Sequence, residues 1–256
     1  MKNSFTFAGL LFFASSSAAQ AGEACRSAKD MIRMVDAFYG ADADRVDIIE
    51  PSVSLKMTGI NGHPTPSQML FRDGGAEHYL EIDEAGQLQN IEKVAGLSKD
   101  AEMCRVINGE IPEPVEGDTT SANISFLFPY RRTDGEFTVE ELREGAKDGS
   151  KIMDGVAPGG LGFAVPGLKA IALKRVSEDA PIPVATFTRK GEPVDVPIST
   201  FNSDQFMRLK DIKSAKADML TIQGDYDLSA MFKFDPEDMA EAETKRLAAL
   251  VEQPAE

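Results

Sequence analysis

The hydrophobic positions of the chain first repeat with a helical period, over residues 27–39. Between charged residues, apolar side chains recur every three or four positions, at Ala28, Met31, Ile32, Val35 and Phe38/Tyr39. This spacing predicts an amphipathic helix with one buried stripe. Gly40 is in place to end that helix.

An alternating pattern replaces the helical period in the residues that follow. Apolar and polar side chains alternate over residues 53–58, which is typical of a strand with one buried face. Residues 68–72 and 77–83 flank the turn sequence Asp73-Gly74-Gly75 and predict a β-hairpin. Residues 99–106 form a short stretch whose pattern is ambiguous.

The second half of the chain opens with a predicted strand over residues 123–130 and a predicted helix from residue 138 to about 154. Thr138 and Glu141 have the spacing of a capping box, in which each side chain bonds the backbone N–H of the other. Further predicted strands cover residues 168–176, 184–189, 194–199 and 219–234, the last with a turn or bulge at Gly224 and Asp225. A surface helix is predicted from Asp235 onward, and residues 203–216 stay open.

Helices and strands do not alternate regularly along the chain, which favours the α+β class over a parallel sheet. The expected architecture is antiparallel, β-rich sheets with a few helices packed on one face, with a β-sandwich as the alternative for the first half. The acidic, proline-rich residues 111–121 predict a linker. This linker would separate two domains. Residues 22–110 would form a domain of one helix and β-rich structure, tied by a disulfide, and residues 122–256 would form an α+β domain.

The N-terminal residues 1–21 have the three parts of a secretory signal peptide. Lys2 gives a positive start, an apolar run follows, and Ala19, Gln20 and Ala21 form an A-x-A end. Glu23 disrupts the pattern that a lipoprotein would need before Cys25. We therefore expect a periplasmic or secreted protein, with no transmembrane segment in the mature chain because no other stretch is apolar enough to span a bilayer.

Cys25 and Cys104 are the two cysteines of the chain. An even count in an exported protein favours a disulfide. Neither cysteine lies in a C-x-x-C motif or has a histidine at ligand spacing, so a redox or metal pair is the weaker interpretation.

The balance of charges changes the expected partners. The chain has 27 Lys and Arg against 42 Asp and Glu, a formal net charge of −15. Such a surface repels phosphate backbones, so we expect no nucleic-acid partner. The remaining partner classes are another protein or an apolar small molecule.

Candidate chemistry in the sequence is sparse. The two histidines, His63 and His78, are the weak candidates for a site. We expect His63 to face water in a proline-rich turn and His78 to be partly buried in a strand. A catalytic zinc needs three convergent ligands, and no nucleophile-elbow motif G-x-S-x-G occurs, so we expect no metal and no cofactor, and the catalytic residues stay unknown.

Three functional hypotheses follow. The first is a soluble, exported, non-catalytic binding or interaction protein. The second is an exported hydrolase that uses His63 or His78. The third is a periplasmic carrier of a lipid or other apolar ligand. It is suggested by Gly145 and Gly149, which give the predicted helix a nearly flat face on which a groove can form.

Overall fold

A computed structural model of the chain describes residues 25–40, 47–115, 119–156, 167–177, 179–201 and 203–232. These residues form mainly antiparallel strands with a few helices, which confirms the predicted α+β class. The predicted signal peptide and the predicted C-terminal helix lie outside the described residues. Part of the predicted linker, residues 116–118, lies outside them as well.

The helices of the described chain are α1 (Lys29–Tyr39), α2 (Val139–Val156), α3 (Leu209–Ser214) and a 3₁₀ helix (Ile91–Val94). The first confirms the helix predicted from the hydrophobic period. Its buried residues are Ile32, Met34, Val35 and Phe38. Of the predicted stripe, Met31 is only half-buried and Tyr39 is exposed. The stacked rings of Phe38 and Phe126, 5.2 Å apart, are part of that packing.

Contacts divide the described residues into two compact units. The first unit comprises those within Met1–Asp44, Pro51–Leu127 and Ile152–Val165, and the second those within Arg45–Glu50, Phe128–Lys151 and Pro166–Glu256. The predicted domain limits at residues 110 and 122 stay a prediction.

The first unit is built on six strands. They are β1 (Cys25–Ser27), β2 (Ser52–Gly59), β3 (Gln68–Asp73), β4 (Ala76–Glu81), β5 (Glu102–Val106) and β6 (Thr120–Leu127). A four-stranded antiparallel sheet has the order β1-β5-β3-β4, and β2 pairs with β6. The predicted hairpin is confirmed in β3 and β4, where Asp73 faces Ala76. Gly74 and Gly75 form its turn with φ of 56° and 92°, values that a glycine adopts without steric cost.

The second unit contains the remaining strands. They are β7 (Glu136–Thr138), β8 (Ala170–Lys174), β9 (Val184–Arg189), β10 (Glu192–Pro193), β11 (Ser199–Phe201), β12 (Asp204–Arg208), β13 (Met219–Gln223) and β14 (Asp227–Met231). They form two antiparallel sheets, of order β10-β9-β13-β7 and β11-β12-β8-β14. The second sheet carries a core cluster of Ala170, Ala172 and Phe206.

Two strand predictions in this unit are wrong. Residues 194–198 form no strand between β10 and β11, and this stretch contains Pro197, which has no N–H to donate to a ladder. The predicted long strand over residues 219–234 is two strands, β13 and β14, in different sheets. The turn predicted at Gly224 and Asp225 is confirmed, since the chain bends there between the two strands, with a φ of +94° at Gly224.

Candidate functional site

The predicted disulfide between Cys25 and Cys104 is present, with an S–S distance of 2.11 Å. The two residues lie directly opposite each other on β1 and β5. Cys104 is fully buried, in a cluster with Leu70, Val106 and Ile111. The bridge therefore belongs to the core of the first unit.

The two histidines both lie at the surface. His63 is exposed in a turn, as expected, where its backbone N–H donates to the carbonyl oxygen of Ile60 at 3.0 Å. His78 is exposed on β4, so the expectation of partial burial is wrong. The reason is that β4 is an edge strand, in which only Leu80 is buried. A role for either histidine in hydrolysis stays a prediction.

Charged and aromatic groups come together where α2 begins. A surface cleft of about 360 Å³ opens there. We call it the α2 cleft, and its lining residues are Asp47, Ile48, Tyr130, Arg131, Arg132, Phe137 and Glu141.

The capping box predicted from the sequence forms one wall of this cleft. The backbone N–H of Glu141 donates to Thr138 Oγ1 at 3.1 Å. In return, Glu141 Oε2 accepts from the backbone N–H and the hydroxyl of Thr138, at 2.7 and 2.9 Å. Backbone donors at the start of α2 are thereby satisfied and the Glu141 carboxylate is held in one orientation.

Arg132 is held between two carboxylates. Its Nε donates to Asp134 Oδ2 and its Nη1 to Glu141 Oε1, each at 2.8 Å. These bonds raise the pKa of Arg132 and lower the pKa of Asp134. Nη2 has no bonding partner among the described residues, so this end of the guanidinium is available to a ligand.

Arg131, the neighbour of Arg132 in sequence, also lines the cleft. Its Nε donates to the carbonyl oxygen of Ile49 at 3.2 Å, and its Nη1 lies 3.7 Å from a carboxylate oxygen of Glu50. Both side chains of that ion pair are largely exposed, with fractional exposures of 45% and 67%. An exposed pair of this length contributes little to stability, so Arg131 can exchange it for a ligand.

The floor of the α2 cleft is aromatic. Tyr130 is buried and its hydroxyl donates to the carbonyl oxygen of Leu142 at 2.6 Å. Phe137 is 1% exposed and meets the ring of Tyr130 edge-on, with ring centroids 5.8 Å apart. Burial raises the pKa of Tyr130 far above its ordinary value, so its hydroxyl keeps its proton at any physiological pH.

The space beside the two glycines of α2 is filled rather than open. A Cβ on Gly145 would lie 2.6 Å from Tyr130 Cε1, and one on Gly149 would lie 2.9 Å from Phe128 Cδ1. The flat helix face is therefore used for close packing within the second unit. The lipid-carrier hypothesis stays a prediction.

The pH dependence of the capping box gives a first testable prediction. Replacing Glu141 by alanine is expected to lower the free energy of unfolding near neutral pH by about 1 kcal/mol. Burial alone would raise the pKa of Glu141, but the hydrogen bonds from Thr138 and the charge of Arg132 outweigh it and the pKa is lowered. This stabilisation is therefore complete above the ordinary pKa of 4.5 and is lost as the pH falls through the lower folded-state pKa.

Urea unfolding of the parent protein and Glu141→Ala, near neutral pH and at about pH 3, measures this effect. The difference in the free energy of unfolding between the two proteins should become smaller at acid pH. Glu140→Ala is the matched control, since Glu140 is exposed beside it in the first turn. A difference for Glu141→Ala that is equal at both pH values would contradict the prediction.

The sequence indicated one wall of the α2 cleft and missed the rest. The capping box and Phe137 lie close together in sequence, whereas Asp47 and Ile48 come from a segment about 80 residues earlier. No local pattern connects such segments. The pair Arg131-Arg132 in an acidic chain is the signal from which the cleft could have been suspected.

The described residues contain no group of three or more histidine, cysteine, aspartate or glutamate side chains placed to hold a metal ion. Among the described helices, none is both long and apolar enough to cross a membrane.

Comparison of the whole chain with protein-family models, curated proteins and solved structures gives no significant match.

Proposed function

We propose that the protein is an exported, non-catalytic binding protein and that the α2 cleft is its binding surface. The observation that carries this proposal is the network of hydrogen bonds by which the charged side chains of the cleft hold one another in place. Arg132 is held by Asp134 and Glu141, and Glu141 is held in turn by Thr138. Such a network is preorganised, which reduces the entropy that a ligand must remove on binding.

The protonation states in the cleft favour recognition over proton transfer. Tyr130 keeps its proton, and the lowered pKa of Glu141 keeps that carboxylate ionised near neutral pH. A general acid or base works best with a pKa near the working pH. Arg132 is a permanent cation, so none of these three groups is suited to exchange protons with a substrate.

The lining of the cleft selects a ligand class. The guanidinium groups of Arg131 and Arg132 line the cleft together with Ile48, which is half-buried, above the buried ring of Phe137. A guanidinium binds a carboxylate through two parallel hydrogen bonds, and an apolar floor accepts a ring or a short chain. We infer that the ligand is a small molecule, or a terminal group of a protein, with a carboxylate next to an apolar portion.

Export is supported by the sequence and by the disulfide. The signal-peptide pattern of residues 1–21 predicts secretion. The bridge between Cys25 and Cys104 is of a kind that persists in oxidising compartments such as the periplasm or the cell exterior.

A titration with three matched probes tests the ligand class. Benzoate, benzylamine and benzyl alcohol share a ring and differ in the charge of the polar group. We expect benzoate to shift the NMR signals of the Arg131 and Arg132 side chains and of Tyr130 and Phe137. Arg132→Gln should weaken benzoate binding about ten-fold, the value of one charge-assisted hydrogen bond.

Arg208→Gln is the matched control. Arg208 is exposed to a similar degree as Arg132 and also pairs with a carboxylate, that of Asp211, but it does not line the cleft. Benzylamine binding as tightly as benzoate, or equal loss of affinity in both variants, would rule out the proposed ligand class.

A further inference from the structure

Two arginines of the first unit lie on the same face of the sheet. Arg26 on β1 faces Met103 on β5, and Arg105 is the second residue after Met103. Arg105 therefore points to the same face as a diagonal neighbour of Arg26, with Cα atoms about 7–8 Å apart. The positive charge of Arg26 is close enough to lower the pKa of Arg105, an effect second only to burial.

Neither arginine has a carboxylate partner among the described residues. Five other arginines of the described residues do form ion pairs with carboxylates: Arg33, Arg72, Arg131, Arg132 and Arg208. Two like charges at short range, one of them half-buried, repel each other. An anion bound between them would remove that repulsion.

Two hydroxyl groups complete the set of donors. Arg105 Nη1 donates to Thr119 Oγ1 and to Thr120 Oγ1, the second bond being 2.9 Å long. Each hydroxyl accepts from the guanidinium and keeps its own proton to donate. Thr119 is 8% exposed, so the inner end of the group is fixed by packing.

We propose that Arg26, Arg105, Thr119 and Thr120 form a binding site for a phosphate group. A carboxylate offers two oxygens, whereas a phosphate group offers three or four and matches the two guanidinium groups and two hydroxyls. Guanidinium groups bind phosphate through paired hydrogen bonds. The site lies wholly in the first unit and does not depend on the function proposed for the α2 cleft.

Thermal unfolding and isothermal titration of the protein, expressed from the full 256-residue chain, test this site. Inorganic phosphate should raise the melting temperature more than sodium chloride of equal ionic strength. Arg26→Gln should weaken phosphate binding about ten-fold or more, because it removes a charged donor. Arg26 is exposed, so this variant keeps the fold, and Thr120→Val tests the hydroxyl independently.

Two control variants separate this site from general charge effects. Arg72→Gln removes an exposed arginine of β3 that already pairs with Glu77, and Arg208→Gln removes an arginine of the second unit that pairs with Asp211 and lies outside the α2 cleft. Both should leave phosphate binding unchanged. Glycerol 3-phosphate in place of inorganic phosphate shows whether the group is taken free or as an ester, and binding of either supports the site.

Three results would overturn the proposal. The first is a melting temperature that phosphate and chloride raise equally. The second is unchanged phosphate affinity in Arg26→Gln. The third is phosphate binding only after Glu116→Gln and Asp118→Asn, since the acids that precede Thr119 in sequence would then be the native partners of the arginines.

Discussion

Replacement of Cys25 by serine should lower the free energy of unfolding by about 4 kcal/mol, the value that loop-closure entropy assigns to a closed loop of this length. The two cysteines are 79 residues apart in sequence. Cutting the bridge lets the unfolded chain explore many more conformations and leaves a buried thiol at Cys104. Denaturant unfolding of the parent protein and Cys25→Ser, compared by their midpoints, measures the loss.

Three further measurements separate the bridge from the loss of the Cys25 side chain. The double variant Cys25→Ala/Cys104→Ala should lose a similar amount, and so should the parent protein after reduction with dithiothreitol. In Cys25→Ser, Cys104 should react with a thiol reagent only after unfolding, because its side chain is fully buried. Two reactive thiols in the oxidised parent protein would show that the bridge does not form.

The elements that the sequence predicts well are those specified by neighbouring residues. Helix α1 follows from a hydrophobic period that its own buried stripe reproduces. The β3–β4 hairpin follows from Gly74 and Gly75, which adopt the positive φ that such a turn requires. The capping box at Thr138 and Glu141 is likewise a matter of three-residue spacing.

The errors arise where a tertiary contact decides the outcome. The residues of β13 and β14 share one alternating pattern, yet the strands lie in different sheets because the chain turns at Gly224. Alternation reports which side chains are buried and does not report the sheet in which they are buried. His78 shows the same effect, since the edge position of β4 depends on strand order.

The candidate sites are still harder to predict, because each combines distant segments. Ile48 and Arg132 share the α2 cleft, and Arg105 bonds hydroxyls at the start of β6. The sequence shows these arginines but not their surroundings. Only the pairing of strands brings the members of each site together.

Replacement of the glycines of α2 is expected to have the second large effect on the free energy of unfolding. At these positions helix propensity and packing act in opposite directions. Alanine is favoured over glycine in a helix by about 1 kcal/mol, so propensity alone predicts that Gly145→Ala and Gly149→Ala stabilise the protein. A Cβ on Gly145 would lie 2.9 Å from Ile49 Cγ2, and one on Gly149 would press on Leu168 and Phe128. Overpacking of this kind costs about 1–3 kcal/mol at each position.

We expect packing to prevail, so that the double variant Gly145→Ala/Gly149→Ala is less stable than the parent protein by about 2 kcal/mol. Gly155→Ala is the matched control on the same helix, since among the described residues its Cβ would meet only Ala37 Cβ, at 3.3 Å. That variant should be unchanged or more stable by up to about 1 kcal/mol. The midpoints of urea unfolding of the parent protein, the double variant and Gly155→Ala show whether packing or helix propensity has the larger effect. A double variant as stable as Gly155→Ala would mean that α2 does not lie against Tyr130 and Phe128, and the floor of the α2 cleft would then be wrongly assigned.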